Sequence, residues 1–199
     1  ARVHDKEYVE RVLSTITDRG HGSLDGDTHF STNSDEAALR AAGAVCSAVD
    51  TVMSGEARNA FCAVRPPGHH AERATAMGFC FFNNVAIGAT HAREAHNLDR
   101  VAVVDFDVHH GNGTQAMFWN QEGLLFCSTH QSALYPGTGH TTETGIFGNI
   151  VNAPLPPSSG SNEFRKAIET VIFPALSDFD PEFLLISAGF DAHADDPLA

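Results

Sequence analysis

The sequence predicts an α/β fold, a parallel sheet covered by helices, and three observations carry that expectation. The candidate strands at 60–64, 101–108, 124–130 and 183–187 are apolar runs with little alternation, as strands buried on both faces are. Helix-type patterns separate them. Polar residues collect just past each strand's carboxyl end, the edge where open α/β sheets bind ligands.

Asp5 is placed to cap a first helix through Tyr8, Val9, Val12, Leu13 and Ile16, whose spacing is helical. Residues 17–34 are polar and glycine-rich without apolar periodicity, which predicts a long loop. A structureless loop of that length in a compact domain is more often functional than incidental. Asn33 and Glu36 have capping-box spacing at the head of an Ala-rich helix to about Met53, ended by Gly55. The strand at 60–64 follows, broken by Arg65-Pro66-Pro67-Gly68, with His69-His70 at its carboxyl end. An aromatic loop over 78–84 precedes a helix over 85–97. The strand at 101–108 leads through Gly111-Asn112-Gly113 to a short helix near 114–119. After the strand at 124–130 comes a turn-rich stretch, 135–145, and a further strand at 149–153. Ser161 or Asn162 caps a helix to Leu176, and Asp180-Pro181 turns the chain into the last strand.

With 199 residues, 42% of them hydrophobic, the chain has material for one core and one domain. Its formal net charge of −13 argues against direct nucleic-acid binding and mildly steers cationic substrates. No apolar run reaches the length of a membrane span, and the N-terminus carries no signal-peptide pattern. The four cysteines show no Cys-x-x-Cys spacing, so neither structural zinc nor a disulfide framework is expected, and a reducing, cytoplasmic location is. The first residues read as a lead-in to a helix, and 196–199 stop straight after a strand and turn. Both ends read as cut from something longer.

The chemistry concentrates in Asp105-Phe106-Asp107-Val108-His109. Alternate side chains of an extended strand share a face, so Asp105, Asp107 and His109 are expected to point the same way. Two acids and an imidazole crowded together are costly unless a cation sits among them, and a divalent metal is the economical answer. Asp107, His109 and Asp191 would offer one nitrogen and two carboxylates from two strand ends. Three such ligands leave a position open, the arrangement of a catalytic zinc. The plainer alternative has Asp105 and Asp107 capping the following turn and His109 as a satisfied core histidine.

His69-His70 would supply paired imidazoles for proton transfer, with Asp105 a candidate partner; a polar turn with exposed histidines is the alternative. Phe79 and Tyr135 are candidate walls of an apolar passage, while Phe81 and Phe82 read as core. Asp25 and Asp27 could bond a substrate backbone amide or be a solvated charge run. Asp191-Ala192-His193-Ala194-Asp195 could itself hold a second metal; the preferred reading has Asp191 completing the first ligand set.

The segments Arg65-Pro66-Pro67-Gly68-His69-His70-Ala71, Gly78-Phe79-Cys80-Phe81-Phe82-Asn83-Asn84, Asp105-Phe106-Asp107-Val108-His109-His110-Gly111-Asn112-Gly113-Thr114, Tyr135-Pro136-Gly137-Thr138-Gly139 and Ser187-Ala188-Gly189-Phe190-Asp191-Ala192-His193 resemble the histone deacetylase superfamily. They are most similar to its class II branch and related bacterial amidohydrolases, in order and over essentially the whole chain. The resemblance implies a three-layer arginase/deacetylase α/β fold and zinc-dependent hydrolysis of an acetylated amine, acetyl-lysine or acetyl-polyamine. By position it implies one zinc on Asp107, His109 and Asp191, and His69 and His70 as tandem catalytic histidines, with His70 the general base. Asp105 would orient His69. Asn112 would orient His70, where the class I branch has an acid. Gly78, Phe79 and Tyr135 would flank the acyl-lysine tunnel, although the family more often has Phe at the last position, and Asp25 would be the rim acid. A structural potassium site would draw on Asp105, Asp107, His109, Ser128 and Thr129.

The resemblance also implies that 1–199 is a single, partial deacetylase domain. The family's opening strand and its glycine-rich segment with the transition-state tyrosine do not occur in it, and neither Tyr8 nor Tyr135 has that context. Two rival readings are a two-manganese ureohydrolase of the same architecture, hinging on 191–195, and a non-catalytic acyl-lysine binder.

Overall fold

The structure, a computed structural model, describes residues 2–197. Ala1 and Leu198-Ala199, at the ends on which the reading of a cut chain rests, lie outside the described residues. The chain packs as two compact units, Ala1–Asn97 and Leu98–Ala199.

In the first unit, α1 (Lys6–Arg19) buries Tyr8, Val12 and Ile16 along one stripe. They pack with Phe30, Ala38, Ala76, Phe81 and Phe82 into a core in which each large apolar side chain contributes about 1.5–3 kcal/mol. The Tyr8 hydroxyl donates to the Phe81 carbonyl at 2.5 Å, so the ring is satisfied as well as buried. Asp5 stands at the N-cap, but its carboxylate pairs with Arg73 Nε at 2.7 Å instead of capping the helix.

The long loop expected over 17–34 is shorter than that. α1 continues to Arg19, and a small antiparallel hairpin, β1 (Gly22–Ser23) with β2 (His29–Phe30), occupies the middle. α2 (Ser34–Met53) starts where expected, yet the capping box does not form. Asn33 is left-handed at φ 68°, not the extended conformation that side-chain capping needs, and Glu36 pairs with Arg40 at 2.6 Å.

Residues 60–64 are not a strand. A strand is made by its ladder, and no described residue pairs with this segment; Phe61 is 76% exposed. α3 (Asn84–His96) follows, with Asn83 Oδ1 accepting from the Ala86 N–H at 3.1 Å as its cap.

One buried histidine ties this unit to pH. His4 Nε2 accepts from the Asn83 N–H at 2.9 Å and Nδ1 faces the Arg73 carbonyl at 3.3 Å, a neutral ring satisfied on both sides. Burial holds its pKa below the ordinary 6.5. In the pH range between the lowered folded value and 6.5 the unfolded chain binds the extra proton, so stability falls as pH drops through that range and levels off below it. Thermal unfolding followed from pH 8 to pH 5 should show this loss, and His4→Gln should flatten that part of the curve.

The second unit holds the main sheet: β3 (Val101–Asp105), β4 (Leu124–Gln131), β5 (Ile150–Leu155) and β6 (Phe183–Ser187), all parallel in the order β5-β4-β3-β6. Ala102, Leu125, Cys127 and Ala153 on one face pack against Ala167 and Ile172. The opposite-face residues Val101, Val103, Phe126 and Ile150 are buried too, which is why β3, β4 and β5 lack alternation, whereas β6 leaves Leu184 and Ile186 about half exposed on one face, contrary to a strand buried on both. The short helix α4 (Asn112–Phe118) follows β3. The helix expected to run unbroken to Leu176 is instead α5 (Ser161–Ala167), a π-helical turn over Ile168–Ile172 and α6 (Phe173–Phe179). Pro174 explains the interruption, since it has no N–H and its ring clashes with the carbonyl four residues back.

Candidate active site

β3 ends at Asp105, three residues earlier than the sequence suggests, so Asp105, Asp107 and His109 do not alternate along one strand. The chain leaves the sheet through side-chain-capped turns. Asp105 Oδ1 accepts from the Asp107 N–H at 3.1 Å, and Asp107 Oδ1 accepts from the His109 N–H at 2.8 Å. Turn capping and ligand convergence, weighed as rivals in the sequence, are both present.

β6 supplies the third group. Asp105 is in register with Ser187, so the loops after the two strands emerge side by side. His109 Nδ1 lies 3.1 Å from Asp107 Oδ1 and 2.9 Å from Asp191 Oδ2. One donor atom from each residue falls within 4.8 Å of the others. The Val108 N–H donates to the remaining Asp191 oxygen at 3.1 Å and fixes that carboxylate. These hydrogen bonds, to Asp107 first and then Asp191, raise the His109 pKa to about 9. The two carboxylates favour a positive charge beside them. One imidazole nitrogen and two carboxylates, half-buried and converging, fit a zinc ion with a free position.

Gly189 makes the approach possible. A Cβ there would meet Asp107 Oδ2 at 2.0 Å and its Cγ at 2.5 Å. Gly189→Ala should therefore push Asp107 off the cluster and weaken metal affinity about 10- to 100-fold, the range for losing an orienting contact, with the sheet intact. Competition titration against a chelator measures it.

His193 and Asp195 are exposed, 3.8 Å apart and outside the three-residue cluster, so Asp191-Ala192-His193-Ala194-Asp195 does not assemble a second ligand set here.

Beneath the loop lies a polar network that the sequence reading did not single out. His110 is buried, with Nδ1 2.7 Å from Thr138 Oγ1 and Nε2 3.1 Å from Gln115 Oε1. Glu143 accepts from Gln115 Nε2 at 2.6 Å and from the Gly139 N–H at 3.0 Å. His130 stacks near His110 and bonds Gly139 O at 3.1 Å. The network pins the 138–143 turn, three residues after Tyr135, and Tyr135 lies 6.3 Å from His109 ring to ring. The available signal was the second member of the His109-His110 pair, a histidine where a buried loop needs an anchor.

Asp105 is fully buried, Asn112 nearly so, and Ser128 stands opposite Asp105 across the sheet. Ser128 Oγ bonds His130 Nδ1 at 2.9 Å. Thr129 Oγ1 is buried with no hydrogen-bond partner among the described residues, an orphaned oxygen that fits contact with a cation such as potassium.

The first unit carries the tandem histidines. His69 and His70 are both buried, their rings 4.0 Å apart, contrary to a turn with exposed histidines. Their loop is braced by two asparagines the sequence reading passed over as the end of an aromatic run. Asn84 Nδ2 donates to Pro66 O at 3.0 Å and Asn83 Nδ2 to Ala71 O at 3.2 Å. Gly78, at φ 55°, lies against the His70 ring, where a Cβ would come within 2.3 Å of Cδ2. Phe79 is about half exposed, also at positive φ, with its N–H donating to Thr28 Oγ1 at 3.2 Å. Asp25 spends one oxygen capping the hairpin turn, accepting from Thr28 N at 2.7 Å and Asp27 N at 3.1 Å. Partial burial pushes its pKa up, and those bonds outweigh it and hold the carboxyl below its usual range.

A family model described as "Histone deacetylase domain" matches residues 1–199. The chain is 42% identical over 202 residues to a histone deacetylase-like amidohydrolase of Pseudomonas aeruginosa, covering all of this chain and 53% of that protein. The crystal structure of the HDA15 HD domain superposes with a TM-score of 0.91 at 40% identity, covering 98% of this chain and 58% of its own. An acetylpolyamine aminohydrolase from Burkholderia pseudomallei also gives 0.91, at 31% identity, covering 99% and 67%. The chain thus spans about half to two thirds of the length of these relatives.

Proposed function

The chain belongs to the histone deacetylase family and has its α/β fold, and on that premise we propose that it serves a zinc-dependent deacetylase that hydrolyses an acetylated amine to acetate and free amine. The observation that carries this reading is the convergence of Asp107, His109 and Asp191 on one point just past the carboxyl ends of β3 and β6. Zinc, when bound there, supplies Lewis acidity that polarises an amide carbonyl and acidifies water.

The rest falls to the chain's own side chains. Asp191 has one oxygen fixed by the Val108 N–H and turns the other toward His109, Asp107 has its Oδ1 fixed by the His109 N–H beside the same ring, and both carboxylates would hold the ion. His70 takes a proton from the attacking water, and the tandem pair returns one to the departing amine; such transfer contributes about 100- to 10,000-fold. Asp105 and Asn112 keep the supporting roles that the resemblance assigns them. Phe79 and Tyr135, partly exposed aromatics, would guide the acyl chain. Potassium would sit with the oxygens around Asp105, Ser128 and Thr129. Candidate substrates are acetyl-lysine side chains and acetylated polyamines, and the net charge of −13 attracts the latter's ammonium groups. No helix is long and apolar enough to cross a membrane among the described residues. All four cysteines are free, in keeping with the proposed cytoplasmic setting.

Acetate release by the full-length protein tests the proposal, with acetyl-lysine peptide and N-acetylated polyamine as substrates, before and after chelation. Turnover should vanish with the metal and return with zinc. Zinc-loaded protein that releases no acetate would instead support an acyl-lysine binder.

A further inference from the structure

A second convergence of ligand atoms lies far along the sequence from the first and wholly within the first unit. Asp50, in the last turn of α2, faces His91 and His96 of α3. Its Oδ1 lies 2.7 Å from His91 Nε2 and 2.8 Å from His96 Nε2. The three donor atoms fall within 4.8 Å of one another, and the imidazole planes are nearly perpendicular at 86°.

Nothing in the helix itself brings the two histidines together. Residues five apart are turned about 140° from each other on an α-helix. They meet through the one Asp50 oxygen that both rings bond, with His96 the last residue of α3 and Asn97 following in the left-handed conformation at φ 56°. The two rings are mostly covered, 12% and 24% exposed, whereas Asp50 is 54% exposed, which leaves the cluster open to solvent on one side.

A second observation points independently to a cation. A carboxylate near a helix C-terminus opposes the helix dipole, and the last turn of α2 contains no basic residue to offset it.

We propose that Asp50, His91 and His96 form a second divalent-metal site, a clip joining the C-terminal ends of α2 and α3 that takes zinc or a related late first-row ion. Two imidazoles and one carboxylate are a zinc-type donor set, with the fourth position open to water. The ion replaces the two N–H donors, so each ring carries its hydrogen on Nδ1 when loaded. Arg2 now contacts His91 Nδ1 and pairs through Nε with Glu94 at 3.2 Å; on loading it gives up the ring and keeps Glu94.

The test counts zinc per chain by elemental analysis after dialysis of the full-length protein against micromolar zinc. The expected result is one more zinc in the wild type than in Asp50→Asn or His96→Gln, with acetate release unchanged in both variants. An Asp191→Ala protein should still hold this zinc, so failure at one site is distinguishable from failure at the other. Long-range proton–nitrogen spectra of the wild type supply a readout that needs no variant: zinc should shift the Nε2 resonances of His91 and His96. Equal zinc content in wild type and variants, or ring resonances that zinc leaves unmoved, overturns the proposal.

Discussion

Asp191→Ala in the full-length protein is expected to remove the metal held with Asp107 and His109 and to lower kcat/KM for an acetylated amine by about 1000-fold or more. The size follows from what the ion does: Lewis-acid stabilisation is worth several kcal/mol, and each 1.36 kcal/mol is tenfold in rate. Asp191 also accepts the Val108 N–H and one of the two hydrogen bonds that hold His109. Its loss therefore leaves two ligands and a loosened loop. Elemental analysis should find the zinc at this cluster gone, and circular dichroism should find the fold retained, because Asp191 is partly exposed and outside the hydrophobic cores.

The second large effect is expected from His70→Ala, with the opposite metal signature. The ring is buried against Gly78 and beside His69, so it is held in one orientation and not free in solvent. Removing a general base that is so placed should lower kcat about 100- to 10,000-fold with little change in KM. Zinc content should stay at the wild-type value. A variant with full kcat would remove His70 from the chemistry, and one that lost zinc would make its role structural. Together the two substitutions separate metal holding from proton transfer.

Much of this is legible in the sequence, and the limits have physical causes. β6 was read to the residue, since a run of apolar residues bounded by Asp180-Pro181 and Ala188-Gly189 has little choice. The Asp107, His109 and Asp191 group was readable because polar residues directly after apolar strands collect at one sheet edge. The route differs from an alternating strand, because Asp105 caps the turn that ends β3 and does not continue that face. The strand expected at 60–64 failed because ladder partners are not encoded locally. The Asn33–Glu36 capping box failed because Arg40, one helical turn on from Glu36, is the better partner for its charge. Asn83, Asn84 and His110 were overlooked for a related reason. Their work is to satisfy distant backbone and buried polar groups, and spacing along the chain carries no trace of that.

The most direct test of the account is an anomalous difference map at the zinc edge from crystals of the full-length protein grown with zinc. The account predicts one peak among Asp107, His109 and Asp191, about 2.0–2.2 Å from a donor atom of each. No peak there, or a pair of ions about 3.5–4 Å apart as in two-metal hydrolases, would contradict it.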